Sequence, residues 1–277
     1  MRHFLAWLLR SVFRYRAAVV WDNLRHAFPE KSEAEIGHIH KRFYTHLADI
    51  FCEMLWFGRC RGPKGRERLH RSHIVELTNP EELNRLYAAA PQLMLLQAHT
   101  GNWELIGGIL EYSYGVPLDI KPDAFAVSYL RLHNPRADRF MARNRTAPVA
   151  DLGFDGYVEA GDILRYAFRR KDRKFGYAFI TDQYPYWAGK IRVNFMHRET
   201  PSMVAGAALA VKLDMAVGYL RFECREGGGY RMTVVPLCEH AGGQDPALLM
   251  KQYYKLLEED LEKQPWNYLW THKRWKE

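Results

Sequence analysis

The stretch LMLLQAHTGNWELIGGIL, residues 93–110, joins an apolar run to a polar corner and then to a second apolar run. Residues 93–97 have the composition of a buried strand, and a helix is predicted to begin near Asn102. In open α/β sheets, ligands bind beyond the carboxyl ends of the strands, where such a corner lies. The stretch therefore predicts a strand, a functional loop that contains His99, and a helix.

Strands and helices are predicted to alternate along the rest of the chain. Ser32 and Glu35 have the spacing of a capping box at the start of a long helix. A second helix is predicted to be capped by Asn79, with Pro80 at its first position. The complete set comprises helices over 32–57, 79–89 and 246–262, strands over 93–97 and 125–130, a strand ending at Asp182, a hairpin of 215–226 with 229–238, and a basic loop over 58–71.

This alternation predicts an α/β fold, and the hairpin makes its central sheet mixed. A chain of 277 residues is close to the upper limit for one hydrophobic core, and no linker divides it. The composition, 48% hydrophobic and 26% charged, is that of a globular protein. We therefore predict a single domain over residues 21–277, with helices flanking the sheet, preceded by a separate segment over 1–20.

The charge and the cysteines restrict the kind of partner and site. The formal net charge is +8, so the protein should attract anions such as phosphates, anionic lipids or an acidic carrier protein. No recognised nucleic-acid motif accompanies the charge. The four cysteines lack metal-ligand spacing, so free thiols are expected, with a Cys224–Cys238 disulfide as the alternative.

The first 20 residues combine apolar side chains with arginines. Their uncharged runs are far shorter than the ~20 residues that a membrane-spanning helix needs. Read as a helix, they place Phe4, Leu8 and Phe13 on one side, which fits a segment lying in the headgroup region of a membrane. An amphipathic helix docked on the protein's own core fits the same pattern.

His99 and Glu104 are the candidate catalytic residues. The spacing H-x4-[DE] alone carries no weight, because it occurs four times, at His99/Glu104, His133/Asp138, His240/Asp245 and His272/Glu277. Only the first pair directly follows a buried-type strand. A Glu104 carboxylate on the His99 ring would make that ring a general base; alternatively, His99 hydrogen-bonds a loop and Glu104 favours the helix start.

Two neighbouring residues add a possible ligand site. Gly101 would let the backbone approach a ligand, and a helix starting at Asn102 would direct free N–H groups at it. No G-x-S-x-G motif is present, which favours a base acting directly on a substrate hydroxyl over an acyl-enzyme.

Four motifs resemble those of the late acyltransferases of lipid A biosynthesis, the lauroyl/myristoyl acyltransferase family. They are NLRHAFPE at 23–30, HTGNWE at 99–104, TDQ at 181–183 and PWNYLWTHKRWK at 265–276. Their order and spacing cover the chain from about residue 21 to 276. The resemblance implies a glycerolphosphate-acyltransferase-like fold and transfer of a fatty acyl chain from acyl carrier protein to a hydroxyl of a lipid A precursor.

The resemblance also assigns roles to individual residues. His99 corresponds to the base and Glu104 to its partner. Arg131 corresponds to an arginine that holds a phosphate or the carrier's phosphopantetheine, although the family's Y-R-P reads L-R-L here. Further substrate contacts are expected from a second arginine, Arg143 or Arg145, and from the pair Asp182 and Gln183.

The expected partners are acyl carrier protein, a glycolipid acceptor and a membrane surface, with no nucleic acid, no cofactor and no metal. The protein should be a peripheral or monotopic enzyme at the cytoplasmic face of the inner membrane. Two alternatives stay open at this point. One keeps the chemistry with another acceptor, such as a lysophospholipid, an aminolipid or a polyene; the other is a non-catalytic protein that binds the membrane surface.

Overall fold

The computed structural model describes residues 2–185 and 191–275. The helices are α1 (Arg2–Trp7), α2 (Ala17–Ala27), α3 (Glu33–Phe57), α4 (Gly62–Ser72), α5 (Pro80–Ala89), α6 (Pro135–Arg145), α7 (Ile163–Phe168), α8 (Ala205–Lys212) and α9 (Pro246–Lys263). The strands are β1 (Val75–Leu77), β2 (Gln92–Gln97), β3 (Phe125–Tyr129), β4 (Tyr157–Glu159), β5 (Phe175–Ile180), β6 (Arg192–Phe195), β7 (Arg198–Pro201), β8 (Ala216–Cys224) and β9 (Tyr230–Cys238).

Seven of the described strands form one sheet, in the order β1-β9-β8-β2-β5-β3-β4. Strands β8 and β9 pair as an antiparallel hairpin, and every other neighbouring pair is parallel. Strands β6 and β7 form a separate antiparallel pair. The predicted single α/β domain with a mixed central sheet, including the hairpin, is therefore confirmed.

Strand β2 lies inside the sheet, and all six of its residues are buried. Its side chains alternate between two cores, as the period of two of a strand requires. Met94 and Leu96 pack in the core that includes α2, α8, α9 and the first half of α3. Leu93 and Leu95 pack in the core that includes α4 and α5. Helices therefore cover both faces, which explains why the four residues between Gln92 and Gln97 are all apolar.

The register of the sheet brings two distant polar residues together. Gln97 of β2 lies opposite Ile180 of β5 in a parallel pair. His99 and Asp182 each follow two residues later, so they leave the same edge of the sheet side by side. Parallel strands are only about 5 Å apart, which is within reach of two side chains.

Helix α3 begins at the predicted capping box, in which the Ser32 hydroxyl accepts from the Glu35 N–H and the Glu35 carboxylate accepts from the Ser32 N–H. The helix then passes the carboxyl edge of β2, where the His46 ring hydrogen-bonds the Gly101 carbonyl. The long helix was predicted correctly, but its contact with the loop was not anticipated.

Three predictions about local structure need correction. The basic stretch 58–71 is largely helical, forming α4, because Leu69 is fully buried and anchors it. Asn79 precedes α5 but does not cap it; its side-chain amide bonds both backbone groups of Val234 in β9. The element after Asn102 is a 3-10 helix over Trp103–Glu111.

The four cysteines are free thiols, as expected. Residues 2–7 form α1, and a π-helical turn, Leu8–Val12, follows it. Both pack along α3, while the side chains of Phe4 and Phe13 stay exposed to 63% and 68%. Within residues 2–185 and 191–275, no helix combines the length and the apolar character needed to cross a membrane.

Candidate active site

His99 and Asp182 form a direct hydrogen bond at the carboxyl edge of the sheet, with His99 Nδ1 2.7 Å from Asp182 Oδ1. An ionised carboxylate only accepts, so Nδ1 donates the proton and Nε2 is left as the basic nitrogen. The side chain of Asp182 is 2% exposed and that of His99 is 14% exposed. The pair is therefore shielded from water, but its ring is still accessible.

Asp182 keeps its charge in spite of its burial. Burial disfavours the ionised carboxyl, but the charge and hydrogen bond of His99, together with backbone hydrogen bonds, outweigh burial and lower the pKa of Asp182. The turn that carries it is held from α9 and the C-terminal segment. Tyr254 donates to the carbonyl of Thr181, and Tyr268 donates to the carbonyl of Asp182, both at 3.4 Å.

The other side of the His99 ring faces Gln183 and Trp103. The amide nitrogen of Gln183 lies 3.4 Å from His99 Nε2, so it donates a long hydrogen bond to the basic nitrogen. The Trp103 ring meets the imidazole edge-on, with 5.0 Å between the ring centroids. Asp182 and Gln183, both predicted site residues, thus lie on the two nitrogens of the predicted base.

Glu104 does not supply the carboxylate beside the ring, contrary to the sequence-based prediction. Its two oxygens accept hydrogen bonds of 2.6 and 2.7 Å from Arg145, and Trp103 Nε1 donates to Oε1 at 3.0 Å. Arg145 also donates to the hydroxyl of Tyr157 at 2.9 Å. Burial would lower the pKa of Arg145, but the Glu104 carboxylate outweighs it and raises the pKa. Glu104 is thus the counter-ion of a partly buried arginine.

The peptide of Gly101 is held from both sides. Its N–H donates to the side-chain oxygen of Asn267 at 2.6 Å, and its carbonyl accepts from His46 Nε2 at 3.0 Å. Gly101 has a φ of +58°, and a Cβ placed there would lie 2.6 Å from the Phe222 ring. The prediction that the backbone at Gly101 faces a ligand therefore needs correction, because its N–H points into the protein.

Asn102 is fully buried, and its side chain hydrogen-bonds within the protein. Its oxygen accepts from the Glu104 N–H at 3.2 Å, which caps the 3-10 helix, and its amide donates to Glu53 at 2.8 Å. Tyr230 donates to the same oxygen of Glu53 at 2.6 Å, yet burial still raises the pKa of Glu53. Asn102 thus ties the His99 loop to α3 rather than pointing at an open site.

The family model for bacterial lipid A biosynthesis acyltransferases matches residues 1–277. The chain belongs to this family. A comparison with curated proteins gave no significant match. The resemblance found in the motifs is therefore confirmed, and the family is one of acyltransferases of lipid A biosynthesis.

The three arginines of this acyltransferase that were predicted to bind substrate have different surroundings. Arg131 follows β3, is 63% exposed and pairs with Glu159 at 2.9 Å. Arg143 is exposed on α6. Arg145, at the end of the same helix, is joined to the loop through Glu104. Of the three, Arg145 has a direct connection to the residues around His99; the roles of Arg131 and Arg143 stay predictions.

Tyr184, the residue after Gln183, is one of the residues that line a groove of about 820 Å³. Arg192, Arg198 and Lys273 are among its lining residues, with Asp22 and Glu199 as the acidic ones. Arg192 and Glu199 lie 3.9 Å apart, so part of the positive charge is already compensated. The groove still has a basic balance, which suits an anionic ligand.

Two functional neighbours were missed by sequence reasoning, His46 and Asn267. His46 lies in the middle of α3, and its periodicity only indicates a buried position, which any core histidine would share. Asn267 lies within a motif of the C-terminal segment, but nothing local shows that its amide reaches residue 101. Both contacts span long sequence separations, so no local pattern reveals them.

Proposed function

We propose that the protein transfers a fatty acyl chain from an acyl carrier protein thioester to a hydroxyl of a lipid A precursor, with His99 as the general base. One observation carries this proposal. His99 is paired through Nδ1 with an ionised, buried aspartate, so Nε2 is the unprotonated nitrogen, and only a long hydrogen bond from Gln183 competes with proton uptake there.

In the proposed step, His99 Nε2 takes the proton of the acceptor hydroxyl as that oxygen attacks the thioester carbonyl carbon. The tetrahedral intermediate then collapses, the carbon–sulfur bond breaks, and the proton returns from the imidazolium to the leaving thiolate. An ester and a free carrier thiol are the products. Asp182 stabilises the imidazolium between the two proton transfers, in the same way as the aspartate of a catalytic triad.

Glu104 and Arg145 support this chemistry indirectly. The ion pair with Glu104 holds the Arg145 guanidinium beside the loop. Trp103 contacts both the Glu104 carboxylate and the His99 ring. The single N–H of Gly101 is already used by Asn267, whereas three of the five N–H groups of Arg145 bond Glu104 and Tyr157 and two remain. The guanidinium is therefore a better candidate than that N–H for stabilising the developing oxyanion. We assign this role to Arg145.

The basic groove at Tyr184 suits the donor. Acyl carrier proteins are acidic, and Tyr184, which lines the groove, is the chain neighbour of Gln183, whose amide contacts the His99 ring. A donor that docks there would present its thioester next to His99. We place the enzyme at the cytoplasmic face of the inner membrane, where both the carrier and the lipid acceptor are accessible.

The test is a transfer assay with acyl carrier thioesters of several chain lengths and a lipid A precursor, followed by mass spectrometry of the lipid. We expect His99→Ala to lower kcat by about 10²–10⁴-fold, the usual contribution of a general base. His240→Ala is the matched control, because His240 also contacts an aspartate but is 58% exposed, and it should retain wild-type turnover.

Two results would contradict the proposal. Equal turnover of His99→Ala and wild type would exclude His99 as the general base. Product with a lysophospholipid but none with the lipid A precursor would keep the chemistry and replace the acceptor. Acyl coenzyme A, offered in place of the carrier thioester, tests the donor separately, because it lacks the acidic protein surface.

A further inference from the structure

The large apolar side chains that are exposed in the described residues are concentrated on three segments. The N-terminal segment has Phe4, Trp7, Val12, Phe13 and Tyr15, helix α3 has Phe51 and Leu55, and residues 130–140 have Leu130, Leu132 and Phe140. Single exposed apolar residues are common, but a contiguous set marks an interaction surface.

Helix α3 joins the other two segments into one surface. On one side, Arg2 of α1 lies 3.8 Å from Asp49. On the other side, Asn144 of α6 donates to the carbonyl of Met54 at 3.4 Å. Because successive helix residues are 100° apart, Phe51 and Leu55 point outward between these two neighbours. Phe140 precedes Asn144 by one turn of α6, so it extends the same strip.

The basic residues around this surface indicate the kind of partner. Arg136, Arg139 and Arg143 are exposed on α6, where Asp138 is the acidic residue of the helix. Residues 1–21 contain four arginines and no acidic residue. Aromatic and leucine side chains between arginines are the composition that inserts into the headgroup region of an anionic bilayer.

Residues 130–140 connect this surface to the candidate active site. They follow β3, which is the neighbour of β5 and ends at the same carboxyl edge as His99 and Asp182. Helix α6 then ends at Arg145, which bonds Glu104. Residues 130–145 therefore begin and end beside the catalytic loop, and a bilayer that contacts residues 130–140 would lie near that loop.

We propose that residues 130–140, together with the exposed faces of α1 and α3, form a docking surface for a bilayer that contains anionic lipid. Docking of the N-terminal segment alone would hold the enzyme at the membrane, whereas docking of residues 130–140 also orients the catalytic edge toward it. The purpose of the orientation, delivery of a membrane-embedded acceptor to His99, rests on the proposed function; the docking itself does not.

The test measures binding of the full chain to vesicles, without any acyl transfer. Vesicles of phosphatidylcholine with 30% phosphatidylglycerol are compared with pure phosphatidylcholine in a flotation assay. We expect Leu130→Ser/Phe140→Ser to weaken binding to the anionic vesicles about tenfold, because two apolar side chains no longer insert. Arg136→Gln/Arg139→Gln should cause a similar loss at low salt, and little difference at 0.5 M KCl, where charges are screened.

The matched control is Phe168→Ser/Leu248→Ser, which changes the same two residue types at exposures of 39% and 52%. Phe168 precedes β5 and Leu248 follows β9, so both lie toward the opposite edge of the sheet. This variant should bind vesicles as the wild type does. All four changed apolar residues are exposed, so circular dichroism and thermal melting should show unaltered folding for both variants.

Three outcomes would overturn the proposal. The first is wild-type vesicle binding by Leu130→Ser/Phe140→Ser, and the second is an equal loss in the control variant. The third is a dimer in sedimentation that this change makes monomeric while vesicle binding is retained, because the surface would then join two copies of the chain. None of these outcomes depends on whether His99 is the base.

Discussion

Two of the contacts between a histidine and an aspartate in the described residues differ in burial and in position. His99 and Asp182 are 2.7 Å apart, with exposures of 14% and 2%. His240 and Asp214 are 3.1 Å apart, with exposures of 58% and 54%. The first pair lies at the carboxyl edge of the parallel strands, and the second lies on the surface near the opposite edge.

The interactions that lower the pKa of each aspartate also differ. The pKa of Asp214 is lowered mainly by a hydrogen bond from the Gly242 N–H, with a smaller contribution from His240. For Asp182, burial is the largest influence and acts in the opposite direction, so the interaction with His99 must overcome it. The comparison shows that burial, rather than residue type, makes the first pair an interdependent unit.

Both histidines are also followed by an acidic residue five positions later, and in neither case does that residue contact the ring as the sequence spacing suggests. Glu104 binds Arg145, and Asp245 caps α9 by accepting from the Ala247 N–H at 2.9 Å. The true partner comes from a distant segment in each pair. In these two pairs, the H-x4-[DE] spacing therefore does not identify the residue that contacts the ring.

The largest effect that should separate the two pairs is on turnover. We expect Asp182→Asn to lower kcat by about 10²-fold or more, since the neutral amide no longer stabilises the imidazolium. Asp214→Asn should leave kcat within about twofold of wild type, as is usual for a surface change away from the site. The measurement is the acyl transfer assay at saturating donor.

A double variant sharpens this prediction. If Asp182 acts through His99, then His99→Ala/Asp182→Asn should be as slow as His99→Ala alone. Losses that multiply in the double variant would show that Asp182 contacts substrate independently of the ring.

The next effect should be on stability. It compares Gly101, in the loop after His99, with Gly243, in the loop after His240. Gly101→Ala is expected to lower the free energy of unfolding by about 3 kcal/mol, because it adds both a left-handed backbone conformation and an overlap with Phe222. Gly243→Ala has the same backbone requirement, with a φ of +75°, but no atom within 4 Å of its Cβ. It should cost about 1 kcal/mol.

Urea unfolding monitored by tryptophan fluorescence measures both variants. Equal losses would mean that backbone conformation alone limits the two positions and that the His99 loop is not tightly enclosed. A larger loss of stability for Gly101→Ala would confirm that His46, Asn267 and Phe222 enclose the Gly101 peptide tightly.

The smallest effect is on the pH dependence of stability. Burial lowers the pKa of His46 to about 4, while an unfolded chain has a histidine pKa of about 6.5. Between these values the unfolded state binds the proton and the folded state does not, so stability falls as the pH falls. From pH 7 to pH 5, His46 should account for about 2 kcal/mol of that loss.

His46→Gln tests this, because the glutamine amide can still donate to the Gly101 carbonyl but does not titrate. The variant should lose less stability than wild type between pH 7 and pH 5 in the same urea experiment. His240→Gln, at an exposed position, controls for the removal of one histidine. The same pH slope in wild type and His46→Gln would mean that other groups cause the acid destabilisation.

The sequence by itself determined the family, the α/β class and the elements whose signals are local. The capping box at Ser32, the apolar strand before His99 and the hairpin around the three glycines at 227–229 could all be predicted, because each depends on residues a few positions apart. It failed where an element is held by distant contacts. Leu69 anchors a helix in a stretch whose composition resembles a loop, and Asn79 bonds β9 instead of capping α5.

The tertiary structure alone decided which carboxylate contacts His99. Asp182 is 83 positions from His99, and the register of two strands that are not consecutive in the chain places them together. Glu104, five positions from His99, is drawn away because Arg145 at the end of α6 needs a counter-charge. Local spacing limits which residues can approach one another, but strand register and the pairing of partly buried charges select the contacts that form.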